Sequence, residues 1–344
     1  MTDLTGKRII IRVDGSHAIG LGHIFRMRTL GLALKDAGSF VVFLTKVDEA
    51  ANMILRTTGL PCYIFHSDSY NSILSEVINS KTPDLIIQDI LKTSSQSMKY
   101  LRQRSPAKLI NFDDVGAGLV MADAVINSMV FHWPEYNIKD KQTQLFEGPQ
   151  YMILQSEISK YVQLPHNMRS RAENVLLAFG GTDTHYVTER AIQAINNIET
   201  FLRIKINLGP GSNLTYALEH AVKESVHKIE VMYSVSNLIK EFHQTDLVLC
   251  AGGTMLYELA ALGVPSVSIA TEYHEIHNIN YWSKVGTTVS LGWEKTLDFA
   301  QIYKIVEKIL YDKQKRIQMS KIGKQTVDDL GIKRILEIIA EILK

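Results

Sequence analysis

Residues 246–270 read DLVLCAGGTMLYELAALGVPSVSIA. An unbroken apolar run ends at Cys250-Ala251, two glycines come next, a helical segment opens at Thr254 and stops at Gly263, and a second apolar run starts after Pro265. Continuous Val/Ile/Leu runs of this length fit strands buried on both faces, as in parallel sheets. Gly263 just ahead of a proline suits a helix C-cap. The stretch is therefore a strand–helix–strand unit of an α/β sheet. Gly252 and Gly253 let the backbone come close to a ligand. The free N–H groups and dipole of a helix starting at Thr254 favour an anion, most naturally a diphosphate. Glu258 falls one turn beyond Thr254 on the same face, where a carboxylate can accept both hydroxyls of a ribose. The same pattern equally suits a tight strand–helix turn with Glu258 in water.

The rest of the chain repeats this alternation. KRIIIRVD, FVVFLTK, DLIIQD, KLINFDD, DAVINSM, NVLLAFGG, RIKINLG, IEVMYS and PSVSIATE read as strands, and segments such as IFRMRTLGLALKDAG, ending in a glycine, as helices. The polar stretch SKYVQLPHNMRSRAEN, which holds Pro165, divides two such runs, giving domains 1–165 and 166–344. Each half opens with a strand, a glycine loop and a helix: RVDGSHAIGLGH in one, LLAFGGTDTHY in the other. The expected fold is α/β, with two Rossmann-like domains of mostly parallel sheet facing an interdomain cleft. The tail GIKRILEIIAEILK carries an apolar stripe and reads as a docked final helix.

Composition bounds the function. The chain has 344 residues, 46% apolar and 21% charged, enough to bury a large core without staples. A net charge of +1 provides no global field for nucleic acid or an anionic membrane, and no basic–aromatic interleaving of the single-strand-binding kind is present. No apolar stretch is long enough to span a bilayer, and no signal peptide is apparent, so a soluble cytoplasmic protein is expected. The two cysteines, Cys62 and Cys250, have no metal spacing, and Cys250 reads as a buried inert thiol.

Ligands of open parallel sheets bind at the carboxyl ends of the strands. There the sequence places Asp14 with the loop Gly20-Leu21-Gly22-His23, Asp89, the pair Asp113-Asp114, Gly180-Gly181-Thr182-Asp183, Tyr233-Ser234, the 252–254 turn, and TEYHEIHN. The first loop has Phe25 where a dinucleotide fingerprint needs its third glycine, and no Walker lysine is present after it. His23 is then either a helix-start histidine bonded to local backbone or a general base in a glycine loop that reaches a cleft. Asp14, upstream, is a candidate to orient it. Asp113 and Asp114 point to opposite faces if the strand continues, so at most one meets a ligand, by polar recognition rather than metal binding. His274 and His277 lack the HExxH spacing and read as a ligand-facing loop.

Taken together, RVDGSHAIGLGHIFR, FDDVG, GPQYMIL, LAFGGTD and CAGGTMLYELAALGVPSVSIA resemble, in order, the motifs of the UDP-2,4-diacetamido-2,4,6-trideoxy-β-L-altropyranose hydrolases of pseudaminic acid biosynthesis and of the related spore-coat polysaccharide biosynthesis G proteins. The resemblance runs from about Ile9 to about Val285, with DDLGIKRI matching later. It implies a GT-B-like fold and a UDP-sugar substrate, without cofactor or metal. It assigns the nucleotide to Gly252, Gly253, Thr254 and Glu258, with Gly181 and Thr182 lining the nucleotide site and Tyr233 near the uracil. It implies His23 as the base that activates water for inverting cleavage of the anomeric C–O bond, Asp14 as its orienter, and Arg26 as a contact to diphosphate or sugar. Gly22, Asp113, Asp114, His274 and Asn278 complete the expected sugar site. Tyr257 and TEYHEIHN depart from many of the hydrolases and lie closer to the spore-coat branch. Two other readings share the fold: a glycosyltransferase moving the sugar to an acceptor, and a non-catalytic nucleotide-sugar-binding protein. The oligomeric state is not readable from the sequence.

Overall fold

The structure is a computed structural model, and it describes residues 2–16, 20–130, 142–181, 183, 185–209, 211–233, 235 and 237–344. Two compact units form, one from Met1–Gln155 with Leu330–Lys344, the other from Ser156–Asp329.

The first unit contains β1 (Arg8–Val13), α1 (Gly22–Asp36), β2 (Phe40–Lys46), α2 (Glu49–Arg56), β3 (Cys62–Phe65), α3 (Tyr70–Lys81), β4 (Leu85–Asp89), α4 (Ser95–Arg104), β5 (Lys108–Phe112), β6 (Ala124–Asn127) and β7 (Gln144–Glu147). Its sheet runs β3-β2-β1-β4-β5-β6-β7, and every pairing is parallel. Alternate residues explain the unbroken apolar runs. Ile9, Ile11 and Val13 face α1 through Ile24, Met27 and Leu30, while Ile10 and Ile86 share the opposite core with Leu74, Val77, Met98 and Leu101.

The second unit contains α5 (Ser159–Val162), β8 (Asn174–Ala178), α6 (Val187–Ile195), β9 (Arg203–Leu208), α7 (Tyr216–Lys223), β10 (Lys228–Tyr233), α8 (Ile239–Gln244), β11 (Leu247–Ala251), α9 (Met255–Leu262), β12 (Ser266–Ala270), α10 (Glu275–Val285), β13 (Thr288–Trp293), α11 (Ile302–Tyr311) and α12 (Lys313–Thr326). Its sheet runs β10-β9-β8-β11-β12-β13, again parallel. Val175, Leu177, Ile204 and Ile206 pack against α6 and α11. Gly263 ends α9 at φ +69°, as its sequence implies. Cys250 is free and buried at the end of β11, and burial pushes its thiol pKa upward.

In each sheet the strand order reverses once beside the unit's first strand, between β1 and β4 and between β8 and β11. Such a switch point is where open α/β sheets bind ligands.

The division of the chain differs from the sequence expectation at both ends of the second unit. Ser156–Pro165 belongs to that unit, since α5 packs on α8 and α9 and Lys324 Nζ donates to the carbonyls of Val162 and Leu164 at 2.9 Å each. The last helix, α13 (Gly331–Ile342), instead joins the first unit. Ile335, Ile338, Ile339 and Ile342 enter its core, and Arg334 donates to the Gln150 carbonyl at 2.9 Å. Gly331 sits so close to Met152 that a Cβ there would collide with the Met152 carbonyl. Among the described residues no helix is long and apolar enough to cross a membrane.

Candidate active site

At the first switch point, register sets Val13 beside Asp89, so the loop after β1 and the end of β4 meet. His23 is the second residue of α1, and its Nδ1 lies 2.6 Å from Asp89 Oδ1. Arg26, one turn on, is buried and grips Asp89 with two bonds, Nε to Oδ2 and Nη2 to Oδ1, both at 2.5 Å. Its Nη1 reaches Asp113 Oδ2. Asp113, at φ +45°, also accepts the Met129 amide at 2.9 Å and the Ser128 hydroxyl at 3.2 Å. The result is a chain of groups, His23–Asp89–Arg26–Asp113.

Burial alone would raise the pKa of Asp89. The Arg26 and His23 charges and hydrogen bonds outweigh it and hold the carboxyl at about 2. Burial likewise works against the Arg26 cation, and the two carboxylates more than offset it, so its pKa is raised. An ionised Asp89 accepts the Nδ1 proton, which leaves the Nε2 lone pair of His23 for a substrate proton. A carboxylate that only accepts, set behind Nδ1, is the arrangement that orients a histidine base.

Several expected roles change. Asp14 does not touch His23. It faces β2, accepting the Lys46 amide there at 3.0 Å and both Nη1 and Nη2 of Arg12 on β1 at 2.6 Å, and the Arg12 cation lies 4.6 Å from the Phe65 ring centre. The carboxylate that meets His23 is Asp89, a strand-end residue whose partner no spacing in the sequence reveals; the β1–β4 pairing brings it in. Arg26 is buried on two carboxylates rather than offered to diphosphate or sugar. Neither Asp113 nor Asp114 is presented to a ligand. Asp114 is buried, accepting the amides of Thr93 and Gly116 at 2.9 and 2.8 Å, the Asn111 side chain at 2.7 Å and the Thr93 hydroxyl, so it ties the loops after β4 and β5 together. Gly22 is the first residue of α1.

At the second switch point two glycine loops compete. After β8, Gly180 takes φ +90°, and the Gly181 carbonyl accepts the Gly211 amide at 2.8 Å. Asp183 then closes the start of α6, accepting the amides of Val187 and Thr188 at 2.8 and 2.7 Å. This helix start already carries its own anion. Thr182 lies outside the described residues. After β11, Gly252 and Gly253 lead to Thr254, the N-cap of α9, whose side chain makes no cap bond. Glu258 sits half-buried in the first turn. Of the two helix starts, α6 is closed by the Asp183 carboxylate, whereas the Thr254 side chain at the start of α9 makes no cap bond. Tyr233 is exposed at the end of β10, and His274 and His277 are exposed at the start of α10. Asn278, expected to meet the sugar, is instead fully buried behind the glycine turn. Among the described residues no group of His, Cys, Asp and Glu is arranged to hold a metal ion.

Comparison with known proteins bears on the fold. A sequence model of the glycosyltransferase family 28 C-terminal domain matches residues 175–335. The spore coat polysaccharide biosynthesis protein SpsG of Bacillus subtilis is 25% identical over 340 residues, 96% of this chain and 97% of that one. The UDP-N-acetylglucosamine–N-acetylmuramyl-(pentapeptide) pyrophosphoryl-undecaprenol N-acetylglucosamine transferase of Acetivibrio thermocellus is 29% identical over 62% of this chain and 60% of its own. Among solved structures, MurG of Acinetobacter baumannii superposes with a TM-score of 0.71 at 14% identity, covering 97% of this chain and 99% of MurG. HepE of Anabaena, solved in complex with UDP and glucose, gives 0.63 at 12% identity, covering 97% and 100%. The fold is GT-B. The family 28 match falls mostly on the second unit, and the spore-coat side of the sequence resemblance reappears in a relative matching nearly end to end.

Proposed function

We propose that the chain is a glycosyltransferase that uses a UDP-linked sugar. The second unit holds the nucleotide, with its diphosphate at the start of α9 and its ribose at Glu258, and His23 of the first unit is the general base. The observation that carries this reading is the His23–Asp89 pair at the first switch point. An acceptor hydroxyl gives its proton to His23 Nε2 as its oxygen bonds the anomeric carbon. The C–O bond to phosphate breaks with inversion, and the electron pair leaves with UDP. The leaving diphosphate carries the developing charge, which the N–H groups of the glycine turn and helix dipole can stabilise. The family 28 match and the transferase relative support transfer over hydrolysis. Surface polysaccharide is the product class that the SpsG relationship suggests.

Hydrolysis is the second reading, favoured by the likeness of the GLGH segment around His23 to the nucleotide-sugar hydrolases. The same base would activate water, and UDP and free sugar would form. UDP release from a panel of UDP-sugars, with and without added acceptor glycans, separates the two. Release only with acceptor supports transfer. Release without acceptor, lost in His23→Ala, supports hydrolysis. Absence of UDP binding by calorimetry sinks both.

A further inference from the structure

Asn278 lies behind the glycine turn with three partners. Its Nδ2 donates to the Gly252 carbonyl and, at 3.4 Å, to the Gly253 carbonyl, while its Oδ1 accepts the Tyr257 hydroxyl at 3.0 Å. Carbonyl oxygens only accept, so chemistry dictates the amide orientation. Gly252 makes the approach possible, because a Cβ there would lie 2.6 Å from Ile279 Cγ2 and 2.8 Å from Glu275 Cβ. Tyr257 is buried, with its ring 4.8 Å edge-on from Trp282 of α10. Glu275 fixes the start of that helix by accepting the Thr271 amide and hydroxyl at 2.8 and 2.9 Å.

In a trans peptide the C=O and the next N–H point in opposite directions. Tying the Gly252 oxygen to Asn278 therefore turns the Gly253 N–H away from α10, and tying the Gly253 oxygen does the same for the Thr254 N–H. We infer that Asn278, backed by Tyr257, is a positioning residue that aims these two amides and thereby sets the affinity of the turn for a diphosphate. This rests on the reading that the start of α9 holds the nucleotide's diphosphate. The role is separable from general packing, since it acts on the phosphates and leaves the nucleoside untouched.

The test compares UDP, by titration calorimetry, with uridine, by ligand-observed NMR, on the full chain and on Asn278→Ala, Asn278→Asp and Tyr257→Phe. UDP affinity is expected to fall about tenfold in Asn278→Ala, more in Asn278→Asp, whose carboxylate opposes two carbonyls, and about threefold in Tyr257→Phe, from the usual worth of one or two hydrogen bonds. Uridine affinity is expected to hold in each. Thermal melts identify any variant that fails to fold, and Tyr257→Phe, which removes one hydroxyl, then carries the test. Unchanged UDP affinity in a folded variant overturns the inference, as does an equal loss for UDP and uridine. A wild-type chain that binds no UDP overturns the functional reading itself, which is a different result.

Discussion

The two sheets reverse their strand order at equivalent places and put opposite chemistry there. At β1–β4 the loops bring together a histidine, an arginine and two buried carboxylates. At β8–β11 one loop closes its own helix with Asp183, and the other leaves the α9 start without a side-chain cap. A glycine loop at a switch point is thus not an anion site on the strength of its glycines. The residues just beyond the glycines decide. Asp183 fills the amides that a phosphate would need, and the first turn of α1 faces the buried Asp89 through His23 and Arg26. The 252–254 turn joins its glycines to a helix start whose own N-cap side chain, Thr254, makes no cap bond.

The largest test of this contrast is His23→Ala. Turnover of the UDP-sugar is expected to fall about 10³-fold, in the range of a lost general base, with UDP affinity unchanged because the proposal puts the nucleotide at the other switch point. Steady-state kinetics with calorimetry checks this, and a loss of UDP binding would break the assignment of the two roles.

Asp89→Asn comes next. It keeps the shape but removes the charge that selects the Nδ1–H tautomer, so kcat is expected to drop about 10²-fold, the lower end of what general-base catalysis contributes, with little change in KM. The same carboxyl makes a pH prediction. Its pKa is about 2 in the folded chain against an ordinary 3.8, so its stabilisation is fully present above about pH 4 and is lost as pH falls toward 2. That amounts to about 2 kcal/mol, read as a steep decline in melting temperature across this window that Asp89→Asn should flatten.

Gly252→Ala should be milder for chemistry and sharper for binding. The added methyl meets Ile279 and Glu275, α10 must shift, and UDP affinity is expected to fall by about tenfold or more in direct titration. The smallest effect is Asp183→Ala. Loss of the cap should cost about 1 kcal/mol in chemical denaturation and leave UDP affinity as it was. A gain or loss of UDP binding there would erase the distinction between the two glycine loops.

The sequence shows the interior of both sheets well and their margins poorly. The strands with continuous apolar runs, and DAVINSM with them, are legible because helices cover both faces. The strands that escape the pattern are β3, β7 and β13, each at a sheet edge. CYIF, QLFE and TVSLGW are only partly buried, so the apolar run that marks the centre is diluted. The site divides in a similar way. His23 and the 252–254 turn are visible because residue type and local spacing mark them. Asp89, Asp113 and Asn278 take their roles from partners 15 to 87 positions away, and only strand register and helix packing bring those partners in. Asp14 is the acid nearest to His23 in sequence, and proximity along the chain misleads because the strand end turns toward β2.

The return of α13 to the first unit has a consequence for how the chain comes to be folded. Residues on both sides of the second unit share one core, so as the polypeptide leaves the ribosome the sheet of the first unit is exposed before the helix that covers part of it has been made. The whole of Ser156–Asp329 emerges in the interval and can fold as a unit of its own. The part synthesised first is therefore the part completed last, and Ile335 and Ile339 close a core that must wait for them.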